Sequence, residues 1–347
     1  MASSTIDILA TNALAQLNVV THRTLALPLL IFYVTARCNS RCVSCDWWKS
    51  DGAADLTLDE IRALADDLPA LRTRLIVFSG GEPLLRRDVF EMADVFRAHG
   101  LRVRLLTSGL FLERDAEQVA ARFEEVTVSL DGHNRDLYRQ IRGVDGLEVL
   151  ERGVRKLKAC APQLPVRARS TLHRHNFREL PHLIDKAKSL GLAQISFLAA
   201  DVTSEAFGRR SETSMRGLLL AEDEVEEFAQ VVEATLVSHV QDFESHFVAE
   251  SPAKLRRLPR YYAAQLGHGP FPPVACNAPW VSAVVEADGS VRPCYFHPAV
   301  GNIRQKPLPQ ILRQEMLAFR SNLDVSSNAT CSRCVCSLKV GMRTRLW

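Results

Sequence analysis

Between residues 29 and 199 the sequence alternates between short apolar runs and longer amphipathic ones, six strand-like runs in all. The runs at 29–35, 74–79, 102–107, 125–130, 166–171 and 194–199 read as buried strands, and those at about 57–68, 87–99, 113–122, 147–160 and 177–190 as helices. Thr57, with Glu60 three residues on, forms a capping box at the start of the first helix. Gly100 and Gly191 stand where helices are expected to stop. Strands joined through helices run parallel with right-handed crossovers. Six such units fall short of the eight that close a TIM barrel. The expected fold is therefore α/β, a partial (β/α)6 TIM-like barrel with its site at the C-terminal ends of the strands.

Outside that body the rhythm changes. Residues 1–28 read as a lead-in helix, with Ile6, Leu9, Leu14, Leu17 and Val20 roughly on a helical period, packed on a barrel core over 29–205. Residues 206–272 form a linker or lid that contains one long helix over 221–240, acidic at its start. Residues 273–347 read as a small cysteine-rich domain. It has a hairpin of 281–286 and 290–295 about Ala287-Asp288-Gly289, and then a helix over 308–319.

A net charge of +3 gives no footprint for nucleic acid or an anionic membrane surface. No apolar run approaches the roughly 20 residues that span a bilayer, and the first residues lack the basic flank of a signal peptide. The expected location is the cytoplasm, where the nine cysteines read as metal ligands rather than disulfides.

Three of them, Cys38, Cys42 and Cys45, follow the first strand with C-x3-C-x2-C spacing. Soft thiolates at this density suit iron–sulfur or zinc, and three ligands leave one coordination position open. Gly80-Gly81-Glu82-Pro83 follows the second strand, where two glycines let backbone approach a ligand closely and Glu82 offers a carboxylate to an ammonium group. Cys276 and Cys294 bracket the hairpin, and Cys331, Cys334 and Cys336 close the chain. Four of these five make the usual shape of a four-thiolate site, whether zinc ribbon or iron–sulfur, with Cys336 open as a replacement for Cys334. Cys160 ends an amphipathic helix and reads as a packed thiol.

Together these motifs resemble the radical SAM enzymes, and the C-terminal cysteines resemble the Twitch form of the SPASM extension found in the PQQ- and molybdopterin-biosynthesis subgroup. The resemblance implies a 4Fe–4S cluster on Cys38, Cys42 and Cys45 whose fourth iron binds S-adenosylmethionine. It further implies a second, auxiliary 4Fe–4S cluster on Cys276, Cys294, Cys331 and Cys334. Gly80, Gly81, Glu82 and Pro83 would take the methionyl amino end of SAM. Ser108, at the end of the third strand, belongs to the same site, and Ser129 and Asp131 could reach the ribose hydroxyls. Arg169 would pair with the methionyl carboxylate, and Phe197 would lie in the stretch that meets adenine. The family's usual aromatic before the third cysteine is Ser44 here, and Trp47 is expected to supply part of that surface. Tyr295, His297, Asp201 and Arg209 are further candidates to face substrate, and His173 and His175 lie close to the site.

The activity implied is reductive cleavage of SAM and hydrogen abstraction from an organic substrate, either a small polar metabolite or a peptide. A reductant such as flavodoxin or ferredoxin would serve as partner. The alternative from another class is an iron–sulfur electron-transfer or redox-sensing protein without SAM turnover, which would have no use for the Gly80–Pro83 turn.

Overall fold

The computed structural model describes residues 5–209, 212–344 and 346. A leading helix, α1 (Thr5–Thr21), precedes six parallel strands that lie side by side in chain order. They are β1 (Leu29–Thr35), β2 (Leu75–Gly80), β3 (Arg102–Thr107), β4 (Glu125–Ser129), β5 (Val166–Leu172) and β6 (Gln194–Ala199). The helices α2 (Leu58–Asp67), α3 (Val89–Ala98), α4 (Leu112–Arg122), α5 (Arg135–Arg142), α6 (Leu147–Cys160) and α7 (Leu180–Ser189) make the crossovers. The hairpin strands join the same sheet: β7 (Ser282–Val285) pairs parallel with β1, and β8 (Ser290–Arg292) and β9 (Gly301–Asn302) follow antiparallel. The resulting nine-stranded sheet is open, as a partial barrel requires.

β1 is central, buried along its whole length, and continuously apolar, as a parallel strand covered on both faces should be. Phe32, Phe78 and Phe96 meet edge to face between sheet and helices, with ring centroids 5.6–5.8 Å apart. Among the described residues no helix is long and apolar enough to cross a membrane.

Four expectations need correction. α5 was not foreseen: its eight residues bury only Tyr138 and Ile141, too few for a visible period. In α1, Ile6, Leu9, Leu17 and Val20 point outward, and the buried face carries Asn12 and Asn18. Those amides are needed because this face meets backbone: Asn12 donates to the carbonyls of Met342 and Thr344, and Asn18 to those of Ala26 and Trp280. The helices over 221–240 and 308–319 are both interrupted, the first after Ser238 and the second at Gln314. Finally, Cys160 is exposed rather than packed, because the last turn of α6 extends beyond its buried stripe.

The capping box of α2 is present, and its Glu60 has a second task. Arg304, beyond β9, donates to the Glu60 carboxylate (2.6 Å) and to the carbonyl of Ala54 (3.1 Å). The Arg304 guanidinium, ahead of the capping contacts, lowers the Glu60 carboxyl from 4.5 to about 2. A depressed carboxyl stabilises the fold above its unfolded pKa and loses that contribution as pH falls through the folded one. Arg304→Ala should therefore lower the thermal midpoint slightly at pH 7, the pair being largely solvated. The difference from wild type should shrink between pH 4.5 and about 2.

Candidate active site

Beyond Thr35 the chain enters the loop that carries Cys38, Cys42 and Cys45, and three neighbours hold that loop in place. On one side lies the turn after β2, where Gly81 N donates to Thr35 O (2.9 Å) and Glu82 N to Arg37 O (2.8 Å). A β-carbon on Gly81 would fall 2.0 Å from Arg37 O, and one on Gly80, whose φ is +109°, would fall 2.6 Å from Thr35 O. The glycine pair is thus required by the approach of the cysteine loop itself. On the other side the end of α5 accepts two bonds, from Arg41 N to Arg142 O (2.9 Å) and from Val43 N to Ile141 O (3.0 Å). Above, the 201–209 segment folds over the loop, and Asp46 N donates to Phe207 O (3.0 Å).

These pieces enclose a cavity at the C-terminal ends of the strands. Because side chains alternate along a strand, one parity faces this lumen and the other faces the helices. Cys38, Cys42, Cys45, Gly80, Gly81, Ser108, Ser129, Asp131 and Arg169 all line it. Phe197 does not: it has the other parity, is wholly buried in the sheet–helix core, and leaves Leu198 on the cavity wall. Pro83 is likewise buried below the wall. Glu82 is 1% exposed and turned to the protein rather than to the cavity. Its carboxylate accepts from Ser108 N (2.6 Å), Thr107 Oγ1 (2.7 Å) and Leu84 N (3.1 Å), locking the end of β3 to the glycine turn. Glu82→Gln would set an N–H against those donors, at a cost of about 1–3 kcal/mol. A clear fall in the denaturation midpoint is expected, and an unchanged midpoint would contradict the lock.

Ser44 and Trp47 both reach the cavity, and Trp47 meets Tyr33 edge to face at 5.7 Å. Tyr295, Phe207 and Phe296 continue this wall, with Tyr295 and Phe207 stacked at 6.3 Å. Asp201 and Arg209, expected to face substrate, instead form a buried pair at 3.1 Å that braces the overlying segment. His173 is fully buried off the cavity, and burial first, then His175, pushes it down to about 3.

Arg142 is the residue that sequence reasoning missed. Its side chain enters the cavity beside Cys42 and Cys38 and pairs with Asp131 at 3.1 Å. The other Asp131 oxygen accepts from Thr171 N (2.8 Å). Arg169 stands beside Ser129 in the sheet, and its charge reaches Tyr295 and Cys336. The Asn134 N-cap and Gly143 C-cap of α5 were the available sequence signals for this element.

Burial above all, together with neighbouring charges, raises Cys38 to about 11 and Cys45 to about 12, and Cys42 also moves up. The same cause raises Cys294 to about 11 and Cys331 to about 12, and raises Cys334 and Cys336. These are two nests of thiols, and a cationic metal would offset the charge of their ionised forms. A single tetrahedral zinc with bonds near 2.3 Å brings its sulfurs within about 3.8 Å of one another. Among the described residues no three cysteine sulfurs lie within 4.8 Å of one another.

Residues 32–187 match the family model of the radical SAM superfamily, and residues 276–335 match SPASM, an iron–sulfur cluster-binding domain. The chain belongs to the radical SAM superfamily. A Fe-coproporphyrin III synthase of Methanosarcina barkeri is 25% identical over 88% of this chain and 79% of its own length. An AdoMet-dependent heme synthase of the same organism is 27% identical over 82% and 81%. PqqA peptide cyclase of Rhodopseudomonas palustris is 25% identical over 78% and 68%. Among solved structures, anSMEcpe with bound AdoMet superposes with a TM-score of 0.65 at 16% identity, covering 91% of this chain and 94% of that one. Streptococcus suis SuiB bound to its precursor peptide SuiA gives 0.63 at 12%, covering 91% and 72%. The shared fold is the partial radical SAM barrel. The cofactors of this radical SAM enzyme are S-adenosylmethionine, a SAM-binding 4Fe–4S cluster and an auxiliary 4Fe–4S cluster.

Proposed function

We propose that this radical SAM enzyme uses Cys38, Cys42 and Cys45 as ligands of the SAM-binding cluster and Cys276, Cys294, Cys331 and Cys334 as ligands of the auxiliary one. When bound, that first cluster would supply the electron for reductive cleavage of SAM and so enable hydrogen abstraction from an organic substrate. The observation that carries this reading is a single cavity with the three-cysteine loop on one wall and Cys336, next to the second cysteine group, on another.

Around that cavity the protein's own groups divide the work. Gly80 and Gly81 leave backbone open to the amino acid end of SAM, and Ser108 stands beside them. Ser129 and Asp131 face the ribose region. Arg142 offsets the charge of the thiolates at Cys38 and Cys42 and is better placed than Arg169 for the SAM carboxylate. Trp47 offers the adenine surface that Ser44 lacks. The 201–209 segment, braced by the Asp201–Arg209 pair, excludes water from above.

Arg169, with Tyr295, Phe296 and Phe207, makes an aromatic wall with one cation, which favours a substrate with an apolar or aromatic body and a carboxylate over a sugar. The relatives' names give a porphyrin as a product and a peptide as a substrate, which supports a body larger than a sugar. The test is anaerobic reconstitution followed by dithionite and SAM, without substrate and with Fe-coproporphyrin III or aromatic acidic peptides. About eight irons per chain and formation of 5′-deoxyadenosine are expected. Zinc with little iron, or intact SAM, would overturn the reading.

A further inference from the structure

We propose that His133, Glu179 and His182 form a site for a single divalent transition metal ion, zinc in the first instance, on the flank of the barrel and separate from all nine cysteines. His133 lies on the loop after β4, Glu179 immediately precedes α7, and His182 lies in the first turn of that helix. Their ligand atoms all fall within 4.8 Å of one another. His182 Nδ1 is 2.9 Å and His133 Nδ1 3.5 Å from the same Glu179 oxygen. A tetrahedral ion with N and O bonds near 2.0–2.1 Å sets its ligands about 3.3 Å apart, and these two distances straddle that value. The imidazole rings stand 5.0 Å apart, tilted by 34°, so both can turn a nitrogen to one point.

A surface His–Glu pair accounts for His182, since the two residues are three apart on one helix. It does not account for His133. The Nδ1 of that ring is shielded from solvent and, at 3.5 Å from the Glu179 carboxylate, makes no hydrogen bond, an expense that a metal bond would remove. The other His133 nitrogen lies 3.0 Å from Asn134 Nδ2, and loading the metal moves the ring proton there, so that contact would be given up. Two imidazoles and a carboxylate suit zinc or a neighbouring first-row ion and leave a fourth position to water.

Such an ion would staple two segments that already converge behind the active site. Asn176, three residues before Glu179, donates to the carbonyl of Asp131, and Asp131 in turn pairs with Arg142. The ion therefore tightens the backbone that carries the Asp131–Arg142 pair.

Zinc alone is the probe, added to the full chain after iron–sulfur reconstitution and followed by gel filtration. Wild type is expected to retain about one zinc, with an X-ray absorption shell of nitrogen and oxygen near 2.0–2.1 Å. His182→Ala, at an exposed position that the fold does not need, should cut retention at least tenfold at unchanged iron content. His133→Asn should do the same. Failure to retain zinc, a shell of sulfur near 2.3 Å, or equal zinc in His182→Ala would each overturn the site. None of these outcomes depends on SAM cleavage, so the superfamily chemistry is tested apart from it.

Discussion

Substituting alanine for Cys45 should halve the iron of the reconstituted protein, from about eight to about four atoms per chain, and abolish formation of 5′-deoxyadenosine. The reason lies in the count of thiolates. Three protein ligands are the fewest that hold a four-iron cluster while one iron stays open, so a two-ligand loop loses the cluster. Cys276→Ala should also remove about four irons. It should leave SAM cleavage measurable, because the group around Cys294 and Cys331 is built on other elements. The exposed Cys160, outside both nests, supplies the control: Cys160→Ala should keep all of the iron. Equal iron in wild type and Cys45→Ala would remove the loop from the cluster assignment. Identical loss of SAM cleavage in Cys45→Ala and Cys276→Ala would remove the division of labour between the two groups.

What could be read from the sequence follows from how strongly each feature is dictated locally. Strands such as Leu29–Thr35 are covered on both faces, so their sequence is one apolar block and their existence is plain. The cysteines are legible because their spacing is chemistry as well as structure. Lumen parity is harder to read, since Phe197 and Leu198 are both apolar and only the register of β6 against β5 decides which enters the cavity. Glu82 was legible as a conspicuous carboxylate but not as a bracket for β3, because Thr107 and Ser108 lie 25 and 26 residues away. α1 misled for a related reason. Its apolar side chains lie on a helical period, yet the face that packs is chosen by the carbonyls of Met342 and Thr344, more than 300 residues distant. α5 was hidden by its composition: arginines at 135, 139 and 142 surround the two residues that it buries.

That hidden helix carries the second large expectation. Arg142→Met should leave the Asp131 carboxylate buried without its cation, and removing one partner of such a pair costs about 3–5 kcal/mol. The same change removes the guanidinium beside Cys38 and Cys42 from the cavity wall. Loss of a preorganised charged donor lowers turnover by about a hundredfold or more. SAM cleavage by Arg142→Met should therefore fall by that factor even where the protein folds and takes up iron. Arg142→Lys keeps the charge but not the planar fork, and should fall between the two. Asp131→Asn separates stability from chemistry, because it removes the buried charge while leaving the arginine in place. It should recover much of the lost cleavage when the two variants are compared at equal iron. Arg169→Met addresses the part of the lining whose charge reaches Tyr295 and Cys336, so SAM cleavage without substrate should match wild type while substrate turnover falls. If Arg142→Met cleaves SAM as wild type does, or if Arg169→Met alone abolishes cleavage, the cationic roles are reversed. Arg169 would then be the partner of the cofactor's carboxylate.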